Sequence, residues 1–132
     1  MARVLVAEDD PAMRRLVVEA LRMDGHDVLE AADGAGMLVR IAAAFDALSL
    51  RVSIDLVVSD MRMPLRNGLD LLERLAGWRW SVPCIVMTAF ADDEVRQRTE
   101  RIGAVLLDKP LDMAALRRAV TRLLSVPGAP AG

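Results

Sequence analysis

The sequence predicts an α/β fold: one doubly wound (βα)5 domain, a five-stranded parallel sheet with helices on both faces. Three observations predict it. Five short apolar runs alternate with five segments of helical period along 132 residues, and strict alternation of strand and helix calls for parallel strands joined by crossover helices. The run at 84–87 is unbroken apolar, as a strand buried on both faces must be. The length suits one domain able to bury a core without disulfides or a structural metal.

Taken in order, the first strand lies at 4–7 and the first helix runs from Pro11 to about Asp24. Asp10 supplies an N-cap, Pro11 suits the first helical position, and Gly25 suits the stop. Met13, Leu16, Val17, Ala20 and Leu21 recur at i, i+3, i+4, i+7 and i+8, one face of an amphipathic helix. A second strand follows at 27–31. The second helix starts near Gly34, with Leu38, Ile41, Phe45 and Leu48 on one stripe. A strand at 56–59 precedes a helix at 68–76, and the strand at 84–87 precedes a helix from 92 to 101. A last strand at 105–107 leads to a helix after Asp112 that repeats Leu116, Ala119, Val120, Leu123 and Leu124. The fourth helix is the exception to clean patterning, with Val95 its single large apolar residue. It reads either as a solvated helix held by i,i+4 pairs such as Glu94 with Arg98, or as a mobile surface that a partner reads. The domain is expected over 1–126, with 127–132 a loose tail or linker.

Composition narrows the function. Hydrophobic residues are 54% and charged residues 27% of the chain, which excludes disorder as the main state. A net charge of -2 lacks the basic footprint of a nucleic-acid binder. A lone cysteine, Cys84, builds neither a disulfide framework nor a zinc site and is expected in the core. A reducing, cytoplasmic compartment fits. The N-terminal apolar run is too short for a signal peptide or a membrane span. One histidine, His26, is expected in a loop and leaves His-dependent catalysis little to work with. Trp78 and Trp80 are expected to be partly buried.

Open parallel sheets place ligands outside the carboxyl ends of their strands. Glu8, Asp9 and Asp10 follow the first strand and Asp60 the third. Thr88 follows the fourth, and Lys109 the fifth. Two carboxylate charges about 4 Å apart at an effective dielectric near 20 repel by about 4 kcal/mol. Either their pKa values rise or a cation sits among them. Oxygen ligands with room for water suit Mg²⁺. A hard cation, a lysine and a hydroxyl around one carboxylate make a phosphoryl-transfer site, where positioning and charge neutralisation do most of the catalysis. Asp60 is the nucleophile such a site requires. Mg²⁺ and Lys109 would neutralise phosphoryl oxygens, and Thr88 would donate to a third.

At these residues the chain resembles the receiver domains of bacterial two-component response regulators. The stretches 4–10, 59–64, 67–68, 87–89 and 109–110 carry the resemblance, which covers about residues 2 to 125. The resemblance implies a flavodoxin-like sheet in the order 2-1-3-4-5. It implies Asp60 as phosphoacceptor, Asp9 as a direct Mg²⁺ ligand, Glu8 acting on the metal through water, and the Arg62 carbonyl completing the shell. Thr88 and Lys109 take the places of the switch hydroxyl and the site lysine, while Asp10 is left as a helix cap. A histidine kinase or phosphotransfer protein is the implied donor. The output partner stays open, a homodimer is allowed, and neither direct nucleic-acid contact nor a membrane is implied. The chain would catalyse its own phosphorylation and dephosphorylation without turning over a separate substrate.

Two departures from the family stand out. Leu106 occupies the usual aromatic position three residues before the lysine, and the stretch from Gly103 to Lys109 is one residue short. The stretch between Gly34 and Asp55 is longer than usual by about two helical turns, read either as an extended second helix or as a small segment near 48–52. Four alternatives compete. An Asp-x-Asp phosphatase and a topoisomerase-primase type fold fail on motif placement. A flavodoxin fails because an acidic first loop repels phosphate. A degenerate receiver used only for docking is disfavoured because every site residue is retained.

Overall fold

The computed structural model describes residues 2–44, 53–63, 67–78 and 80–125. Its elements are β1 (Arg3–Ala7), α1 (Pro11–Met23), β2 (Asp27–Ala31), α2 (Gly34–Ala44), β3 (Leu56–Asp60), α3 (Gly68–Gly77), β4 (Cys84–Thr88), α4 (Asp93–Arg101), β5 (Val105–Asp108) and α5 (Met113–Ser125). The strands form one parallel sheet in the expected order β2-β1-β3-β4-β5. The order reverses between β1 and β3, and a doubly wound sheet opens its ligand crevice there.

The alternation of side chains along each strand builds two cores. Leu5, Ala7, Val57 and Val86 face one side and meet Met37 and Ile41 of α2 and Leu69, Leu72 and Leu75 of α3. Val4, Val6, Leu56, Val58, Ile85 and Met87 face the other and meet Val17, Val18 and Leu21 of α1 and Leu116 and Val120 of α5. The central strands β3 and β4 are buried at every position, whereas the edge strand β5 is only half-buried along most of its length. Cys84 lies in the core as expected, and burial pushes its thiol up to about 12.

The caps are those expected. Asp10 Oδ1 accepts from Ala12 N–H at 3.0 Å, and Gly25 takes φ +90°, a conformation only glycine adopts without strain. β3, β4 and β5 each run one residue further than their apolar runs, so Asp60 and Thr88 are the last residues of their strands.

Four expectations are corrected. In α1 the buried stripe is Val17, Val18 and Leu21, and Leu16 is 54% exposed; the helix is rolled toward Val18 to seat it against the sheet. In α2 Met37 and Ile41 are fully buried while Leu38 is only partly so; Phe45, Leu48 and the extra segment lie outside the described residues, as does the expected tail at 127–132. In α4 Arg98 does not pair with Glu94. It reaches α3, where its Nε meets Glu73 Oε2 at 3.0 Å and its Nη2 meets Glu73 Oε1 at 2.6 Å and Asp70 Oδ1 at 2.5 Å. Trp80 packs partly buried on the core, but Trp78 is exposed at the α3 C-cap.

The roll of α1 has a measurable consequence. Leu21→Ala should cost about 3 kcal/mol by deleting a fully buried side chain, and Leu16→Ala less than about 1 kcal/mol. Denaturant midpoints of the two variants check this. Equal losses would show that α1 docks through the expected stripe.

Candidate functional site

The carboxyl ends of β1, β3, β4 and β5 deliver the expected side chains to one place. Asp60 ends β3, and the ladder continues beyond it through Met61 N–H to Met87 O at 2.8 Å. Lys109 follows β5, with its N–H on Thr88 O at 2.7 Å, and its peptide to Pro110 is cis. Glu8 follows β1, with its N–H on Ala31 O at 3.0 Å. Each side chain is thus set by a backbone that the sheet already holds.

The centre of the site is the Lys109 ammonium. Its Nζ lies 2.7 Å from Glu8 Oε1 and 3.3 Å from Asp60 Oδ1. Glu8 is fully buried, and its other oxygen accepts from Asp10 N–H at 3.2 Å. Asp60 is buried beside it, while Asp9 is exposed at the rim. One carboxylate oxygen from each of Glu8, Asp9 and Asp60 lies within 4.8 Å of the other two. Three carboxylates and no nitrogen or sulfur donor form a hard-oxygen set, which fits Mg²⁺ by its chemistry.

Burial pushes the Glu8 carboxyl up to about 7, against the pull of Lys109. Burial likewise raises Asp60, with Lys109 opposing. The hydrogen bond with Glu8 holds Asp9 below the usual range. Burial works against the Lys109 charge, but Glu8 and Asp60 outweigh it and hold the ammonium above its usual range. Burial, more than repulsion between the carboxylates, raises Glu8 and Asp60, and Lys109 opposes it at both.

The other expected residues lie around this centre. Thr88 is buried, and its Oγ1 accepts from Phe90 N–H at 3.1 Å; its hydrogen bond is not to Asp60. Arg62 is exposed, its backbone bridges Asn67, and its guanidinium sits 5.9 Å from the centre of the Phe90 ring. Asp10 is the helix cap. Leu106 is half-buried against the α3 and α4 side of the sheet. His26 precedes β2, away from these groups in the chain, and its Nδ1 is buried without a hydrogen-bond partner.

Two supports were not anticipated. Arg14 donates from Nη1 to Glu8 O at 2.9 Å and from Nε to Glu30 Oε1 at 3.3 Å, pinning the peptide between Glu8 and Asp9. Gly68 starts α3 hard against the end of β3. Its N–H donates to Met61 O at 2.8 Å, and a Cβ there would collide with Asp60 O and lie 2.5 Å from Ser59 Oγ. The Asn67-Gly68 pair was the sequence signal for the second; an arginine on α1 carried none for the first.

Gly68→Ala should destabilise the fold by about 1–3 kcal/mol, because backbone atoms must give way. A calorimetric or denaturant measurement reads this directly, and an unchanged midpoint would contradict the close approach. The Glu8 shift sets a pH dependence. Its folded pKa of about 7 lies above the ordinary 4.5, so the folded state holds the extra proton between those values. Its contribution to stability is present at low pH and is lost as pH rises through that window. In chelator, Glu8→Gln should flatten the fall in melting temperature between pH 4.5 and 7 relative to the parent protein. An identical slope in the variant would show that Glu8 does not titrate there.

The comparisons agree with this geometry. The family model for the response regulator receiver domain matches residues 4–121. The chain is 34% identical over 125 residues to the transcriptional regulatory protein PdtaR of Mycobacterium tuberculosis, covering 93% of this chain and 57% of that protein; the chain thus spans little more than half the length of that relative. It is 28% identical over 123 residues to sporulation initiation phosphotransferase F of Bacillus subtilis, covering 92% of this chain and 93% of that one. Its structure is similar to the Francisella response regulator 1452 receiver domain, with a TM-score of 0.82 and 26% identity, over 94% of this chain and 97% of that one. The alternating sheet, the lysine-centred carboxylate cluster at its carboxyl end and these matches lead to one assignment: the chain belongs to the response regulator receiver domain family.

Proposed function

We propose that the chain accepts a phosphoryl group on Asp60 in a Mg²⁺-dependent reaction, as the receiver of a two-component system in the cytoplasm. The observation that carries this reading is the Lys109 ammonium lying within 3.3 Å of Asp60 and 2.7 Å of Glu8, beside the three-carboxylate cluster. An Asp60 oxygen attacks the phosphorus of a phosphohistidine or small phosphodonor. The P–N or P–O bond of the donor breaks, and the donor leaves with that electron pair. Asp9, Asp60 and the Arg62 carbonyl would hold Mg²⁺, with Glu8 in support. When bound, Mg²⁺ supplies charge neutralisation for the phosphoryl oxygens. Lys109 is already poised to neutralise a second oxygen. Thr88, at the end of β4, offers its hydroxyl proton to a third once the 88–90 turn adjusts. A histidine kinase or phosphotransfer protein is the proposed donor. The proposed output is a movement of α4 and β5 that an unidentified partner or domain reads. With Leu106 in place of an aromatic ring, backbone and loop movement carries it.

Incubation with acetyl phosphate and Mg²⁺ should add one phosphoryl mass of acyl-phosphate lability, and Asp60→Asn should abolish it. Mg²⁺ alone should raise the melting temperature by mass action. Undiminished labelling of the Asp60→Asn variant would move the acceptor elsewhere, and a parent protein that takes no label would favour a docking module.

A further inference from the structure

α4 is an unusual helix to hold in place. Of its nine residues only Val95 and Thr99 are buried, and the Thr99 hydroxyl donates to carbonyls of its own helix. A helix with so little apolar surface gains little from packing. Besides Val95, its tie to the rest of the domain is ionic. Arg98 forks onto Glu73 and reaches Asp70, both on α3, at 2.5–3.0 Å. The Arg98 and Glu73 side chains are only 24% and 29% exposed. Two-point contact with one carboxylate and a third bond to another is the geometry in which an arginine pair is directional.

This tie bears on the site through the chain. Residues 89–92 alone separate Thr88 from α4, and Asp92 caps the helix through Val95 N–H at 2.8 Å. The same short segment carries the Phe90 N–H that binds Thr88 Oγ1. The turn that holds the Thr88 hydroxyl is thus joined directly to the start of α4.

Resting on the reading of Thr88 given above, we propose that Arg98 is a positioning residue: its clasp on Glu73 and Asp70 holds α4 against α3 and so keeps the Thr88–Phe90 turn closed. In this chain an ion-pair seam adds to the single apolar anchor Val95, where the other four helices dock through two or more buried apolar side chains. Cutting the clasp frees the turn, and a phosphoryl group would have to work against it.

Amide hydrogen exchange of the full chain, with no phosphodonor present, tests this. Arg98→Met keeps the aliphatic stem and removes the charge. It should speed exchange of the α4 amides and of the Phe90 amide by about fivefold, the upper range for a partly exposed ion pair. Combining Glu73→Arg and Asp70→Asn with Arg98→Glu, so that no carboxylate faces the new glutamate, should restore both. Salt at about 0.5 M should speed the parent protein and leave Arg98→Met unmoved, because it screens only an existing pair. Unchanged α4 exchange in Arg98→Met overturns the clasp. Faster α4 exchange with an unmoved Phe90 amide overturns its link to Thr88, and failure of the swapped pair to restore protection overturns the pairing as the cause. Acetyl phosphate labelling of the same parent sample is read separately. A parent protein that takes no label defeats the phosphoacceptor reading, while the exchange data still decide the clasp.

Discussion

The half-buried ammonium of Lys109 is the constraint around which the rest of the site is arranged. Two carboxylates, Glu8 and Asp60, sit out of water at the top of the sheet. An uncompensated buried charge costs several kcal/mol. Lys109 meets both, from a residue 101 positions along the chain from Glu8. Its contacts tie the ends of β1, β3 and β5 together. Burial keeps both carboxyls above their ordinary range despite the lysine, so the site remains receptive to added positive charge.

That receptivity is only useful if the carboxylates cannot drift apart, and the surrounding backbone prevents it. Glu8 is held at its N–H by Ala31 and at its carbonyl by Arg14. Asp60 is held between the β4 ladder and the first turn of α3, where Gly68 admits an approach that any side chain would block. Asn67 caps that same helix through Leu69 N–H at 2.9 Å. The polar machinery thus hangs on secondary-structure hydrogen bonds more than on side-chain networks, and two apolar cores beneath it keep those strands in register.

The two halves of the molecule are not held alike. α1, α2, α3 and α5 each dock through two or more buried apolar side chains. α4 relies on Val95 and on a guanidinium seam to α3. Local stability follows the number of buried apolar contacts, and the helix next to Thr88 has the fewest of the five. The edge position of β5, half-buried and carrying Leu106, belongs to the same softer half.

The sequence by itself determined the element order, the parallel sheet and the residues at the strand ends. Those follow from hydrophobic period and from caps such as Asp10 and Gly25, which act over a few residues. It also placed Glu8, Asp9, Asp60, Thr88 and Lys109 at one end of the sheet, since topology alone brings strand ends together. Tertiary structure decided what depends on helix roll and on distant partners. Leu16 and Val18 are both apolar and lie two positions apart, and only docking on the sheet chose Val18 for the core. Arg98 had a local partner available in Glu94, yet two α3 carboxylates offered a better fork. Glu8 and Asp9 are adjacent acids with no local difference between them. The pleat of β1 and the reach of Lys109 buried the first and left the second at the rim, because burial is a property of the assembled surface.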